Sequence, residues 1–225
     1  MKALWDSLGT KLIDLDAGFV ISVANYVSES AYEEAVAEFE AAQFPVLIER
    51  REPEVFAAFQ YLIPTAIVVF LLKPFAEKFL SRLAEDSYDS CKSAIKKLWR
   101  NFLSNDRTFR PRLVATRGKV LDGDLGIELS FVAKTADGQF FRLLFLRGIS
   151  ASEFQRAVLE FYSLMEQHDH APEASGLNVL AATERKWIHP RVLTWALDRG
   201  RLVEVDIVQS ARQKKLLTIE ISPHD

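Results

Sequence analysis

The longest stretch without a charge, residues 55–72 (VFAAFQYLIPTAIVVFLL), is broken only by Gln60, Pro64 and Thr65. As a helix rising about 1.5 Å per residue, it reaches about 27 Å. That is the lower limit for crossing a bilayer and the upper limit for an ordinary core helix. The pattern predicts an apolar helix, kinked where Pro64 removes a backbone hydrogen bond.

The residues before this run alternate between strand-like and helix-like patterns. Residues 18–27 (GFVISVANYV) are β-branched and aromatic, as in a strand. Ser30-x-x-Glu33 is a capping-box pattern that opens a helix through about Ala42. That helix sets Tyr32, Val36 and Phe39 on one side and Glu33, Glu34, Glu38 and Glu40 largely on the other. Residues 44–48 (FPVLI) read as a second strand, which makes a βαβ-like unit with parallel strands.

After the run, Leu80, Ala84, Tyr88, Cys91, Ile95, Leu98 and Phe102 recur at spacings of three and four. They predict a long amphipathic helix over 75–102, with Lys92, Lys96 and Arg100 on another face. Residues 104–111 (SNDRTFRP) read as a linker. Residues 125–134 alternate, Asp137-Gly138 signals a hairpin, and 139–146 supply the return strand. Ser150-x-x-Glu153 caps a helix over 151–167. Residues 187–197, 202–208 and 216–221 read as further strands, with a turn at Asp198-Arg199-Gly200.

The expected fold class is α+β. It has an N-terminal βαβ-like unit, an apolar helix plus a long amphipathic helix, and a C-terminal mainly antiparallel sheet with one helix. The expected division is 1–104 and 112–225.

Composition supports a globular chain: of 225 residues, 49% are hydrophobic and 26% charged. Sixteen Phe and four Trp predict an aromatic core. The single cysteine, Cys91, excludes an intramolecular disulfide and points to a reducing compartment. Asp6, Asp14 and Asp16 interrupt the N-terminal apolar residues, unlike a secretory signal. The expected location is cytoplasmic, in association with the inner face of a membrane.

Charge is split along the chain. Residues 1–54 hold eleven acids and four bases, leaving −7; residues 92–119 hold nine bases and one acid, leaving +8. Within the basic zone, Lys92, Lys96, Lys97, Arg100, Arg107, Arg110 and Arg112 are the candidate contacts to an anionic surface. Trp99, Phe102 and Phe109 interleave with them, a mixture that also suits nucleic acid, a lesser expectation. The plainest reading ranks first: a solvated helix face paired with the acidic N-terminal zone.

Signals for chemistry are sparse. Glu166, His168, Asp169, His170 and Glu173 crowd one helix end, and His168-x-His170 is a weak candidate metal pair without a closed ligand set. His189 suits a general base only beside an acid. Cys91 lies on an apolar stripe, where a thiol is inert. Asp122-Gly123-Asp124 lacks the rest of a calcium loop. Phosphate-loop, dinucleotide-binding and nucleophile-elbow patterns are absent. No cofactor is assigned.

The first functional expectation is a non-enzymatic accessory or effector protein. It would be membrane-associated through residues 55–72 and the adjoining basic segment, with a cytosolic interaction or sensing domain. The second is a soluble, self-associating binding protein with 55–72 buried in the core or a subunit interface. The third is a small metal-dependent hydrolase using His168, His170 or His189.

Overall fold

The computed structural model describes residues 19–51, 66–71, 88–107, 109, 125–136, 138–146, 148–172, 175, 177, 191–213 and 216–221. Strand β1 is Phe19–Ala24, followed by a 3-10 turn at Glu29–Ala31 and helix α1 at Glu33–Ala41. Strand β2 is Val46–Arg51 and strand β3 is Ile67–Leu71. Helix α2 is Tyr88–Phe102, strand β4 Leu125–Lys134, strand β5 Phe140–Leu146 and helix α3 Ala151–His170. Strands β6 (Arg191–Ala196) and β7 (Arg201–Val205), helix α4 (Ile207–Gln213) and strand β8 (Thr218–Glu220) complete the described elements.

All eight strands form one sheet, in the order β2-β1-β3-β4-β5-β6-β7-β8. Three neighbouring pairs are parallel: β1 with β2, β3 with β4, and β5 with β6. The remaining four pairs are antiparallel. The α+β class is as expected, and so is the N-terminal βαβ unit, with Phe19 opposite Val46 and Ile21 opposite Ile48.

The apolar run folds differently from its sequence expectation. Residues 67–71 are not helical; they form β3, between β1 and β4 in the interior of the sheet. Ile67, Val68 and Val69 are β-branched and favour extended backbone. Ile67 and Val69 join the helix-side core, while Val68 and Phe70, of opposite parity, are buried on the other face. A strand buried on both faces reads as an unbroken apolar run, which explains why alternation is missing. The part of the run at 55–65 lies outside the described residues. Among the described residues, no helix is long and apolar enough to cross a membrane.

Helices α1, α2 and α3 pack on one face. Phe19, Ile21, Val69, Phe131, Phe145 and Trp195 meet Phe39, Leu98, Phe154 and Phe161 in one continuous core. Each buried aromatic or aliphatic side chain there contributes about 1.5–3 kcal/mol. The core crosses from the N-terminal to the C-terminal half of the sequence, as does the β3–β4 pairing. Along α2, Cys91, Ile95, Leu98 and Phe102 are buried, as the stripe predicts; the expected portion at 75–87 lies outside the described residues.

The two capping patterns have different outcomes. At α3, Ser150 Oγ accepts from the Glu153 N–H at 3.2 Å, and the Ser150 N–H donates to Glu153 Oε2 at 3.2 Å. At α1 the 3-10 turn intervenes, Tyr32 occupies the cap, and no side-chain cap bond forms. The Ser30 hydroxyl meets Ser28 instead, at 3.1 Å. Farther along, the strand expected over 202–208 ends at Val205. Asp206 then caps α4, its Oδ1 accepting from the Gln209 N–H at 2.8 Å.

Candidate functional site

Alternation puts Val20, Ser22, Val68, Phe70, Ser130, Val132, Arg142, Leu144 and Thr194 on the face opposite helices α1–α3. Strand register aligns Ser22, Val68, Ser130, Leu144 and Thr194 in one row across five strands. Helix α4 covers one end of this face, where Ile207 and Leu216 pack on Leu144, Val192 and Val205. Elsewhere the face carries polar groups. Ser22, Arg51, Glu128, Ser130, Arg142 and Thr194 are all buried.

A break in the sheet sets the position of Glu128. Between Leu125 and Ser130 strand β4 advances five residues while β5 advances only from Leu146 to Leu144. Bulges of this kind re-aim side chains and are enriched beside functional sites. Glu128, inside the bulge, keeps a buried carboxylate, and Arg107 Nη2 lies 3.9 Å from its Oε1.

Arg107 comes from the turn that ends α2. Its N–H donates to Ser104 O at 3.2 Å and its Nη1 to the same carbonyl at 3.4 Å. The turn is fixed because the Phe109 N–H donates to Asn101 O at 3.1 Å. Asn101 Nδ2 donates to Ala31 O at 2.9 Å, tying α2 to the 3-10 turn.

Tyr26 follows β1 and Arg51 ends β2. The Asn25 N–H donates to Arg51 O at 2.9 Å, and Arg51 Nη2 donates to Ala66 O at 3.4 Å. Tyr26 stacks on Phe109 with ring centroids 6.3 Å apart and planes 13° apart. Its residue surface is still 43% exposed.

These groups share one electrostatic environment. Burial raises the Tyr26 phenol above its ordinary value; the charge of Arg51 opposes this and that of Glu128 adds to it. The phenol therefore stays protonated and can donate at neutral pH. Burial, reinforced by the like charge of Arg51, pushes the Arg142 guanidinium down to about 9. A positive charge is thus disfavoured at this position, although guanidinium holds its proton more tightly than any other side chain.

Several buried atoms in this region have no hydrogen-bond partner among the described residues: Ser22 Oγ, Arg107 Nε, Glu128 Oε2 and Thr194 Oγ1. Each such atom costs about 1–3 kcal/mol unless a ligand or water completes it.

The residues singled out by sequence are dispersed. Lys97 Nζ lies 2.8 Å from Glu38 Oε1 and 3.8 Å from Glu34 Oε2, and Arg100 Nη2 lies 3.0 Å from Glu34 Oε2. This is the pairing of basic helix with acidic zone that the charge split anticipates. The Lys97 hydrogen bond, with further help from Ser93, holds the Glu38 carboxyl below its usual range against the opposing effect of burial. Lys96 is exposed, and Lys92 is half-buried with its carbonyl accepting from Gln155 Nε2 at 3.4 Å. Arg107 alone of the described basic candidates enters the Glu128 cluster. Arg110, Arg112 and His189 lie outside the described residues.

The candidate metal pair is split by the helix. His168 is buried, its Nδ1 2.8 Å from Ser175 Oγ, whereas His170 is exposed. Ser175 Oγ in turn donates to Pro172 O at 2.9 Å and accepts from the Leu177 N–H at 3.3 Å, so it serves the loop structure. Among the described residues, no group of three or more His, Cys, Asp or Glu could hold a metal ion. Cys91 is buried in the core.

Sequence reasoning misses Tyr26, Arg51, Glu128 and Arg142. One signal was available: Arg142 is the only charge in the seven residues of β5, FFRLLFL. No protein-family model, curated protein or solved structure matches the chain.

Proposed function

We propose that the chain is a non-enzymatic binding protein that receives an anionic small molecule at the Glu128 cluster. One observation carries the reading. Unpartnered buried atoms of Ser22 and Glu128 lie on a sheet face that also carries Arg51 and Arg142, and Arg107, from the turn after α2, approaches Glu128 with its own buried Nε unpartnered among the described residues. Guanidinium groups match phosphate and carboxylate in geometry and keep their charge at every physiological pH. A carboxylate among them gives selectivity for ligands that also donate a hydrogen bond.

The reading keeps the binding role, and the described part of the apolar run at 66–70 is buried. Residues 67–71 form an interior strand of the sheet, so this reading assigns them no membrane contact. The helix-side face acts as scaffold.

Thermal unfolding in increasing sodium phosphate, against sodium chloride at equal ionic strength, tests the proposal. The expected result is a midpoint rise that saturates at millimolar phosphate, as ligand linkage requires. Arg51→Leu abolishes the saturating part. A gradual, unsaturable rise shared with the variant is general salting and contradicts the proposal.

A further inference from the structure

We infer that the chain forms a two-fold dimer in which strand β2 pairs antiparallel with β2 of a second copy, centred on Ile48, so that two sheets continue as one. The residues that make this contact, Val46, Ile48 and Arg50, take no part in the proposed anion site.

The sheet ends in two edge strands, β2 and β8. Strand β8 has three residues, whereas β2 has six and keeps its register with β1 throughout, without a bulge. The Phe19 N–H donates to Pro45 O at 3.0 Å and the Asn25 N–H to Arg51 O at 2.9 Å, so the odd-numbered residues of β2 turn their backbone groups toward β1. Val46, Ile48 and Arg50 therefore turn N–H and C=O outward. Among the described residues, no hydrogen bond reaches these outward groups. The edge is also open: Val46 and Ile48 are half-buried, Arg50 is exposed, and Leu47 is 39% exposed. Edge strands are commonly blunted by a bulge, a lysine or a proline within them. Here Pro45 stands before the strand, and residues 46–51 carry none of these.

The outward groups are self-complementary. A two-fold axis through Ile48, perpendicular to the sheet, sets Ile48 opposite Ile48 of the second copy and Val46 opposite its Arg50, each pair exchanging two hydrogen bonds. Every outward N–H and C=O of the strand then has a partner. The side chains suit this register, because Leu47 comes opposite Glu49 of the second copy and no like charges are directly opposed. The Arg50 guanidinium is tied to Tyr32 Oη at 3.0 Å and Val27 O at 3.4 Å, so the pairing uses only its backbone. The shorter β8 matches only part of β2, and head-to-tail contact between them would leave open ends.

One strand pair is a small interface, so the expected dimer is reversible. Sedimentation equilibrium of the full chain tests it. The expected mass climbs with concentration from 25.5 kDa and levels at twice that value. Ile48→Pro removes the outward N–H at the axis without touching a bond to β1, and it is expected to remain monomeric. Leu47→Glu and Leu47→Lys place opposite charges at one exposed position facing Glu49 of the second copy. At low salt Leu47→Lys dimerises about threefold or more tighter than Leu47→Glu, and salt closes the gap. Melting curves establish that each variant is folded; if Ile48→Pro is not, the two charged variants decide. A monomer at every concentration overturns the dimer. A dimer that survives in folded Ile48→Pro, or that forms equally well with either charge, overturns this interface. Growth past twice the chain mass overturns the two-fold pairing in favour of an open-ended contact between β2 and β8.

Discussion

The two faces of the sheet obey the same alternation and end in opposite conditions. Beneath α1–α3, Phe131 meets Phe145 and Phe154 at 6.0 Å and Tyr162 at 6.3 Å, an aromatic core without a charge at its centre. One residue along β4, Ser130 and Val132 face the other way, toward a side that buries Arg51, Glu128 and Arg142. The first face is what stability selects. The second keeps buried polar and charged groups, the contrast on which the proposed binding role rests.

The helix side also holds a buried ion pair, and it is a different kind of object. Arg191 Nε donates to Glu204 Oε1 at 3.0 Å and Nη2 to Oε2 at 2.6 Å, a two-pronged pair. Arg191 Nη1 donates to Leu177 O at 2.6 Å, and its guanidinium lies over the Phe141 ring at 5.1 Å. Every prong of this arginine is used, so it reads as a clamp holding the 177 loop to β6. Around Glu128 the geometry is looser, at 3.9 Å to Arg107, and Oε2 has no partner among the described residues.

Substitutions can break this contrast in graded steps. Phe131→Ala, in the aromatic core, is expected to cost about 3–5 kcal/mol in urea unfolding. A loss under about 1 kcal/mol would mean that the helix-side core is not packed as described. Arg191→Met leaves Glu204 buried without its partner and is expected to cost about 3–5 kcal/mol. Retention of full stability would show the clamp to be dispensable.

The smallest effect belongs to the surface. Lys97→Met removes the bond to Glu38 and is expected to cost less than about 1 kcal/mol at pH 7. Because Lys97 lowers the folded Glu38 pKa, the stabilisation is present above the ordinary carboxyl value of 4.5 and fades as pH falls through the lowered one. The gap between wild type and Lys97→Met therefore closes in acid. A gap of constant size from pH 7 to pH 3 would assign the effect to packing of the lysine stem.

Legibility in the sequence followed how many faces each element exposes. Helices α2 and α3 bury one stripe each, so their periodicity is visible; Cys91, Ile95, Leu98 and Phe102 were recognisable as one side. Strand β3 buries both faces, so Ile67–Leu71 carries no period and merges with the apolar residues before it. Helix α4 was hidden because Ile207 and Val208 continue the apolar character of β7, although Asp206-x-x-Gln209 has a helix-start spacing. Ser30-x-x-Glu33 matched a cap that tertiary structure displaced by inserting a 3-10 turn.

The candidate site was less legible for a related reason. Alternation marks Glu128 and Ser130 as polar positions but cannot distinguish a solvated face from a buried polar one. Tyr26, Arg51, Arg107 and Glu128 come from four separated segments, and only the sheet and the α2 turn bring them together. Phosphate loops are local in sequence; this arrangement is not.

The most direct test of the account is Arg142→Met, measured by urea unfolding with and without saturating phosphate. Burial and the charge of Arg51 disfavour the guanidinium, and the account predicts that the variant still unfolds cooperatively without phosphate. It also predicts that most of the phosphate-induced stabilisation of wild type disappears. A folded variant that keeps the full phosphate response would contradict the account, making the second face a second core.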